Sequence, residues 1–520
     1  MVRQKRESLI GTLFEDEARA RGFRRIAGLD EVGRGALAGP VVAAAVILDP
    51  AAPLPEGLDD SKKLTASRRE RIAEELRQTA LCYSVGLIPP AEIDDTNILV
   101  ATRRAMLEAL ARLQPGADFL LIDALQLRES GLPQRAIIGG DSVLLHIAID
   151  AHAVGTGLAG NETYAANLVE ALAEVDAENR YTVYVTKQEA VERFEGRWPN
   201  VRARRTLPHT PLVRIPFTLS AELRRRPVDL LHVQYTAPPL APCPVVATIH
   251  DLSFEHLPET FKRRSWMQLR LTVRRTARRA AHIITPSEYT RRDIIRTYSI
   301  RPERVSVIPL AAASHFRPMT DQAELGRMRR RYGISGEYIL AVGSIQPRKN
   351  LARLVEAYSD LRRKRPRSNL PQLVLVGRQA WLYGETLKAI EEQGVRDSTL
   401  LPGHVSEADL PALYSGALCF VYPSYFEGFG LPPLEAMRCG TPVLTGNLTS
   451  MPEVVGDAGL MVDPFDTGAL SGALARLIDD ADLRADLRER GLRRAGAFDW
   501  RETARRTIEV YRSTIGGNDE

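Results

Sequence analysis

Short apolar runs alternate with stretches of helical spacing along nearly all of the 520-residue chain. In the first part, runs at 26–30, 41–48, 82–88, 119–123 and 136–138 predict strands. Residues 96–113 carry apolar positions at helical spacing, with Asp94 and Asp95 near the start and Pro115-Gly116 as the stop. Near Ser142 this series breaks. Leu144-Leu145-His146-Ile147-Ala148-Ile149-Asp150 reads as a fresh buried strand, followed by a glycine loop and an amphipathic helix at about 162–173. Further strands are predicted at 181–185, 230–233, 245–249, 282–284 and 305–308, then at 338–342, 373–376 and 419–422. Strands separated by helices at this spacing predict parallel, doubly wound α/β sheets. The pattern divides the chain into 1–142, 143–330 and 331–520, in keeping with roughly 100–200 residues per domain.

Composition narrows the class only a little. With 44% hydrophobic and 26% charged residues the chain reads as an ordinary soluble globular protein. Its net charge of +5 favours anionic partners (nucleic acid, phosphorylated ligands, lipid headgroups) and selects none of them. Cys82, Cys243, Cys419 and Cys439 are far apart and form no C-x-x-C, which fits a reducing cytoplasm better than disulfides or a cysteine metal site. No signal peptide or run of 18 apolar residues is visible, so a cytoplasmic location is expected.

The first unit carries carboxylates at strand ends. Asp30 and Asp123 each close a hydrophobic run, where a side chain is poorly placed for packing and well placed to meet another across adjacent strands. Clustered carboxylates can hold two divalent ions and stabilise both oxygens of a phosphodiester displacement. The strings Asp30-Glu31-Val32-Gly33-Arg34-Gly35, Ala38-Gly39-Pro40-Val41, Asp60-Ser61-Lys62-Lys63-Leu64, Asn97-Ile98-Leu99, Leu121-Ile122-Asp123 and Gly139-Gly140-Asp141 closely resemble type 2 ribonuclease H (ribonuclease HII) over residues 20–142. That resemblance implies an RNase H-like sheet that cleaves the RNA of RNA–DNA hybrids. It also implies that Asp30, Glu31 and Asp123 match three of four metal-binding carboxylates, with Gly33-Arg34-Gly35 near the ribose 2′-hydroxyl. In the family a fourth carboxylate and further helices follow the equivalent of Gly140-Asp141. Here Val143 begins another pattern, so a truncated, inactive remnant is expected, with a working nuclease as the alternative.

After the seam, Gly155, Gly157 and Gly160 follow a strand and open a helix in the G-x-G-x-x-G spacing. The next strand ends in Thr186-Lys187 rather than an acid, which argues against a nicotinamide or flavin cofactor. A glycine loop that brings an acceptor or phosphate close to a helix N-terminus remains. His250-Asp251 closes a strand on the face where such sheets bind ligands. Residues 262–279 hold eight basic residues and no acid, with Trp266, Met267, Leu269, Leu271 and Val273 interleaved. That stretch reads either as a solvated helix face or as an interfacial helix drawn to anionic lipid.

The third unit holds the sharpest string. Gly343 ends an apolar strand and Arg348-Lys349 stand at a helix start, a combination suited to a diphosphate. Glu427-Gly428-Phe429-Gly430-Leu431-Pro432-Pro433-Leu434-Glu435 places two glutamates on either side of a proline-marked helix start, where both can face a ligand. This string resembles the E-x7-E element of retaining glycosyltransferases of family 4, which have the GT-B fold. Supporting matches are the glycine loop, His250-Asp251, Thr285-Pro286-Ser287, Gly343 with Arg348-Lys349, Pro423-Ser424, Pro452-Glu453-Val454, and Phe498-Asp499-Trp500 before a terminal helix. Leu310-Ala311-Ala312 departs from the Asn-Gly-Val of many members.

The resemblance implies a GT-B pair of Rossmann-like domains: an N-terminal acceptor domain and a C-terminal donor domain. A nucleotide-sugar donor would be held by Gly343, Arg348, Lys349, Glu427, Gly428, Phe429, Gly430, Leu431 and Glu435. Arg348 and Lys349 are expected to stabilise the departing diphosphate, Glu427 to bind the donor sugar, Glu435 the ribose, and His250 to sit beside the reacting centre. A glycan or lipid-linked acceptor is expected, with no metal cofactor for transfer. Magnesium or manganese, and an RNA–DNA hybrid, belong only to the nuclease alternative.

Overall fold

Alternation in the first apolar runs builds one mixed sheet from β1 (Ile26–Val32), β2 (Val41–Leu48), β3 (Ala80–Ile88), β4 (Phe119–Asp123) and β5 (Gln134–Ile137). Its order is β3-β2-β1-β4-β5, antiparallel through β1, β2 and β3 and parallel through β1, β4 and β5. The helix Ile98–Arg112 buries Ala101, Ala105, Met106 and Ala109 against one face. It approaches so closely that a side chain at Gly86 would meet the Ala105 carbonyl oxygen at 2.0 Å. On the other face of β3, Leu81, Tyr83, Val85 and Leu87 stay 45–49% exposed. The outer edge of β3 is closed instead. Glu108 accepts from the Leu87 amide at 3.0 Å and Arg112 donates to the Val85 carbonyl at 2.8 Å, which blocks strand addition there.

The computed structural model describes residues 13–32, 39–58, 61, 64–94, 96, 98–123, 127–137, 145–157, 159–365, 370–378 and 384–516. The chain divides into two compact units, Met1–Leu144 and Leu145–Glu520.

The second unit contains two parallel sheets. One is formed by β6 (His146–Asp150), β7 (Arg180–Val185), β8 (Val201–Arg205), β9 (Leu230–Gln234), β10 (Val245–Thr248), β11 (His282–Thr285) and β12 (Val305–Val307), in the order β12-β11-β10-β9-β6-β7-β8. The other is formed by β13 (Tyr338–Val342), β14 (Gln372–Val376), β15 (Thr399–Gly403), β16 (Cys419–Tyr422), β17 (Val443–Gly446) and β18 (Gly459–Val462), in the order β15-β14-β13-β16-β17-β18. Each order reverses once, between β6 and β9 and between β13 and β16. Such reversals open a crevice beyond the carboxyl ends of the strands. Asp150, the first acid after the seam, belongs here. It is buried at the end of β6, and Arg214 holds it through two hydrogen bonds of 2.8 and 2.9 Å.

The edge strands β8, β15 and β18, and the inner strand β17, add to the strands the hydrophobic pattern predicts. The terminal helix Trp500–Gly516 packs on Ala159–Val175 of the N-terminal half, as the Phe498-Asp499-Trp500 resemblance implies. Thr503 donates to the Pro309 carbonyl at 2.7 Å, and Tyr511 meets His232 Nδ1 at 2.5 Å. Leu310 and Ala311, the departure from the family string, are buried in the core at this junction.

Candidate functional site

The donor candidates converge on the carboxyl ends of β13 and β16. Gly343 ends the first of these with φ of 149°, and the Lys349 side chain passes beside it. Arg348 and Lys349 occupy the single turn Pro347–Lys349, and Asn350 then takes a left-handed φ of 57° to start the helix Leu351–Lys364. Asn350 makes that turn affordable by donating to the Pro423 and Pro464 carbonyls at 3.2 and 2.6 Å. Glu427 lies in the loop after β16. Its Oε1 receives Arg348 at 2.7 Å, Lys349 at 2.5 Å and the Ser424 hydroxyl at 2.6 Å. Lys349 also donates to the Tyr422 hydroxyl.

These three charges determine one another. Burial alone would raise the Glu427 carboxyl, but Arg348 and Lys349 outweigh it and bring the group down to about 2. Arg348 is held above its usual range by Glu427 despite burial. Lys349 is pulled down to about 8, first by burial and then by the neighbouring Arg348 charge. The contacting trio therefore holds two cations and one anion, with Asp251 as a second acid in the field of both cations, and the paired cations suit a phosphate.

Glu435 is a different kind of group. It sits in the helix Leu431–Arg438, which starts at Gly430 in the left-handed region with Pro432 and Pro433 in its first turn. Its carboxylate accepts from Tyr414 at 2.9 Å, and burial, helped by Glu407, pushes it up to about 7. The structure thus brings Glu427 to the cations and Glu435 to a tyrosine. Tyr422 lies in the field of both carboxylates.

His250 follows β10 and faces the same crevice from the N-terminal half. Burial lowers its imidazole to about 4, with Asp251 opposing, so it is neutral at ordinary pH. Its Nε2 lies 3.0 Å from Gln234 Oε1, and Gln234 Nε2 donates to the Asn161 carbonyl at 3.2 Å. A backbone carbonyl can only accept, so the Gln234 oxygen must face His250, and Nε2 must carry the proton. Nδ1 is then an acceptor. Tyr164 and Tyr235 pack edge-on against the ring at 4.6 and 5.6 Å, and Tyr235 holds a left-handed φ of 58°. Strained backbone of this kind gathers at functional sites. Gln234, Tyr164, Tyr235, Tyr422 and Tyr414 carry no sequence signal of their own, because each acts through a partner distant along the chain, whereas Ser424 belongs to the Pro423-Ser424 string.

Gly428 is the seam between the halves. A side chain there would meet the His250 carbonyl oxygen at 1.8 Å, and the Gly428 carbonyl accepts from Ser287 at 2.6 Å. Glu453 receives the amides of Glu288 and Tyr289, both at 2.7 Å, at the start of the helix Glu288–Tyr298. The two residues that follow Thr285-Pro286-Ser287 therefore meet the Pro452-Glu453 string. Phe429 and Leu431 are buried beside this contact. The glycine loop shows left-handed φ at Gly155 and Gly157, with Gly160 in the first turn of the following helix. In place of an outside anion, the Gly155 and Gly157 amides hold the Glu162 carboxylate at 2.8 and 2.7 Å. A ligand phosphate must displace Glu162 or use Arg378, which lies against Gly157.

In the first unit, Leu29 pairs with Ile122, so Asp30 and Asp123 come one residue later at the same end of parallel neighbours β1 and β4. Asp30 is exposed and Glu31 half-buried. The Asp123 side chain, Gly33-Arg34-Gly35, Asp60, Lys62, Lys63, Asn97 and Gly139-Gly140-Asp141 lie outside the described residues. Among the described residues no three His, Cys, Asp or Glu side chains gather to hold a metal ion.

Three family models match the chain: Ribonuclease HII over 27–152, Glycosyltransferase Family 4 over 158–312 and Glycosyl transferases group 1 over 327–494. The first runs past Ser142 and over β6, a strand of the second unit. The O-antigen chain mannosyltransferase B of Escherichia coli is 37% identical over 269 residues, covering 51% of this chain and 70% of that protein. Ribonuclease HII of Ruminiclostridium cellulolyticum is 52% identical over 135 residues, which is 26% of this chain and 52% of that enzyme. The chain thus spans about half the length of that relative. Among solved structures, sucrose-phosphate synthase from Thermosynechococcus elongatus superposes with a TM-score of 0.58 at 21% identity, covering 72% of this chain and all of that one. Anabaena HepE in complex with UDP-glucose superposes at 0.55 and 19%, covering 71% of this chain and all of that one. The chain belongs to the group 1, family 4 glycosyltransferases with the GT-B fold, and carries a ribonuclease HII domain ahead of them.

Proposed function

We propose that the chain moves a sugar from a nucleotide-sugar donor to a glycan or lipid-linked acceptor with retention at the anomeric carbon. The buried Arg348–Lys349–Glu427 cluster carries the reading. Its two cations stand where the donor diphosphate departs, and fixed charges in a dry site stabilise developing charge far better than water does. The bond from the anomeric carbon to the diphosphate oxygen breaks and the acceptor oxygen bonds on the same face. The acceptor proton passes to the departing phosphate oxygen. Neutral His250 offers Nδ1 to a hydroxyl near the reacting carbon, Glu427 binds the donor sugar and Glu435 the ribose. No metal ion is assigned to this step. The relative named for mannose makes a mannosyl donor the first to test, with glucose second because HepE binds UDP-glucose. Peripheral contact with an anionic membrane belongs to the same reading.

We also propose that the ribonuclease HII domain is inactive. In support, the matched segment spans only 52% of the relative from Ruminiclostridium cellulolyticum, and Leu81, Tyr83, Val85 and Leu87 of β3 stay half exposed.

The test uses the purified full chain with nucleotide-mannose and nucleotide-glucose, with and without EDTA. Transfer or donor hydrolysis that survives EDTA, is lost in Arg348→Ala and gives an anomerically retained product supports the proposal. An inverted product, or a rate unchanged by Arg348→Ala, overturns it. RNA–DNA hybrid cleavage in magnesium that Asp30→Asn abolishes would promote the nuclease reading.

A further inference from the structure

Next to the Pro347–Lys349 turn lies a pocket that the proposed reaction leaves unused. Gln346, Pro347, Arg353, Glu385, Tyr425 and Phe465 line it. Its volume is about 190 Å³, short of the roughly 300–1,000 Å³ that enclose a drug-sized ligand. One ring fits, and a whole nucleotide sugar does not. The pocket belongs to one face of the β13–β18 sheet, and the helix of Glu435 covers the other. Side chains alternate across a strand. Ile339 and Ala341 of β13 share a core with Leu354 and Ile390, from the helices Leu351–Lys364 and Gly384–Glu392 whose first turns border the pocket. Tyr338 and Leu340 share theirs with Tyr414, Leu434 and Met437, beside Glu435. A donor with its diphosphate at Arg348 and its ribose at Glu435 therefore runs away from the pocket, which is left to the other substrate.

The pocket stands at the mouth of the crevice. The Tyr425 amide donates to the Arg348 carbonyl at 3.1 Å, and the next ring, Phe426, packs on His256 and Tyr289 of the N-terminal half with centroids 5.5 and 6.0 Å apart. Its aromatic wall is open to water and yet fixed. Phe465 is 55% exposed, stacks on Tyr425 at 5.5 Å, and has the Arg353 guanidinium 5.5 Å from its centroid. Asn350 and Arg353 both donate to the Pro464 carbonyl, at 2.6 and 3.2 Å, which pins the loop that carries Phe465. Around the rings stand Gln346, which can donate and accept, Arg353, which donates, and Glu385, which accepts. Among the described residues no hydrogen bond or ion pair engages the side-chain amide of Gln346 or the carboxylate of Glu385.

We infer that this pocket binds a sugar ring of a glycan acceptor, beyond the sugar that reacts. A pyranose offers C–H groups to the negative faces of aromatic rings, and hydroxyls that both donate and accept. Rings flanked by donors and acceptors match both needs. A phosphate would meet the like charge of Glu385, and an acyl chain would strip water from Gln346 and Glu385 without replacing it. The inference rests on the transferase reading and narrows its acceptor to one that carries a chain of sugars.

The experiment is titration calorimetry on the full chain with four probes, each alone: UDP, GDP, a linear mannotetraose and maltotetraose. One tetraose is expected to bind. Phe465→Ala should weaken that binding about tenfold and Glu385→Gln about threefold, while Phe465→Trp keeps it. Nucleotide affinity should stay within about twofold in all three variants, because none of them touches the donor cluster. Unchanged melting temperatures show that the variants fold. Failure of both tetraoses to bind overturns the inference, as does a Phe465→Ala protein that binds its tetraose like wild type. Nucleotide affinity lost in Phe465→Ala also overturns it, and gives the pocket to the donor base. Transfer from nucleotide-mannose or nucleotide-glucose to the tetraose is measured alongside in the wild-type chain. Its absence with tetraose binding intact counts against the transferase reading and leaves the pocket a glycan site.

Discussion

Replacing Glu427 by glutamine tests whether the cluster is held together as its geometry requires. The carboxyl moves from an ordinary 4.5 to about 2. That corresponds to roughly 3 kcal/mol of interaction favouring the charged form. Because the folded group titrates lower than the unfolded one, this stability is fully present above pH 4.5 and is lost as the pH falls towards 2. Glutamine keeps the shape but leaves Arg348 and Lys349 side by side without their contacting carboxylate, with Asp251 the acid remaining in their field. Removing one partner of a buried ion pair typically costs about 3–5 kcal/mol. The low end applies here, because Lys349 already titrates near 8 and can shed its proton when Glu427 is gone. A loss of about 3 kcal/mol should lower the melting temperature of the compact unit Leu145–Glu520 by roughly 4 °C, at about 2.1 cal/mol/K of unfolding entropy per residue.

The assay is differential scanning calorimetry at pH 7.5 on wild type, Glu427→Gln, Lys349→Met and the double variant. The double variant should recover at least half of the loss, since the cation leaves with its partner. This departs from what a purely donor-binding glutamate would do, which is to weaken the donor and leave melting unchanged. A Glu427→Gln protein that melts within about 1 °C of wild type refutes the argument.

Three further outcomes are expected. Glu435 is raised from 4.5 to about 7, so its burial costs stability as pH rises through that window. Glu435→Gln should therefore flatten the melting profile between pH 5 and 8 and be more stable than wild type at pH 8, by up to about 3 kcal/mol; a parallel profile would show the carboxyl ionised throughout. Gly428→Ala places a methyl against the His250 carbonyl and should lower kcat/KM at least tenfold; steady-state kinetics with any accepted donor checks it. Gln234→Leu removes the acceptor that holds the His250 proton on Nε2. Nitrogen-15 spectra of labelled histidine should show one Nε2–H tautomer in wild type and a mixture in the variant, and an Nδ1–H wild type would contradict the hydrogen-bond argument.

Much of the fold is readable from the chain because its central strands are buried on both sides. Runs such as Ile147–Asp150, Val245–Thr248 and Tyr338–Val342 are continuous apolar stretches between helices, the mark of a parallel sheet. Some edge strands escape that signal. Val201–Arg205 reads VRARR, with one side open to solvent, so its arginines hide a strand. Arg348, Lys349, Glu427 and Glu435 are legible as chemistry because rare residue types stand beside glycine turns and proline-marked helix starts.

What the sequence determined alone is therefore the class of each unit and the names of the charged groups. Tertiary structure decided their roles. Arg348 and Glu427 are joined only because the carboxyl ends of parallel β13 and β16 lie side by side. Gln234 fixes the His250 proton because β9 and β10 are neighbours. The same closeness brings Ser287 to the Gly428 carbonyl and the Glu288 and Tyr289 amides to Glu453. The reason is physical. Burial and charge act over a few ångströms through space, and residues far apart along a chain acquire such neighbours only when the sheets close.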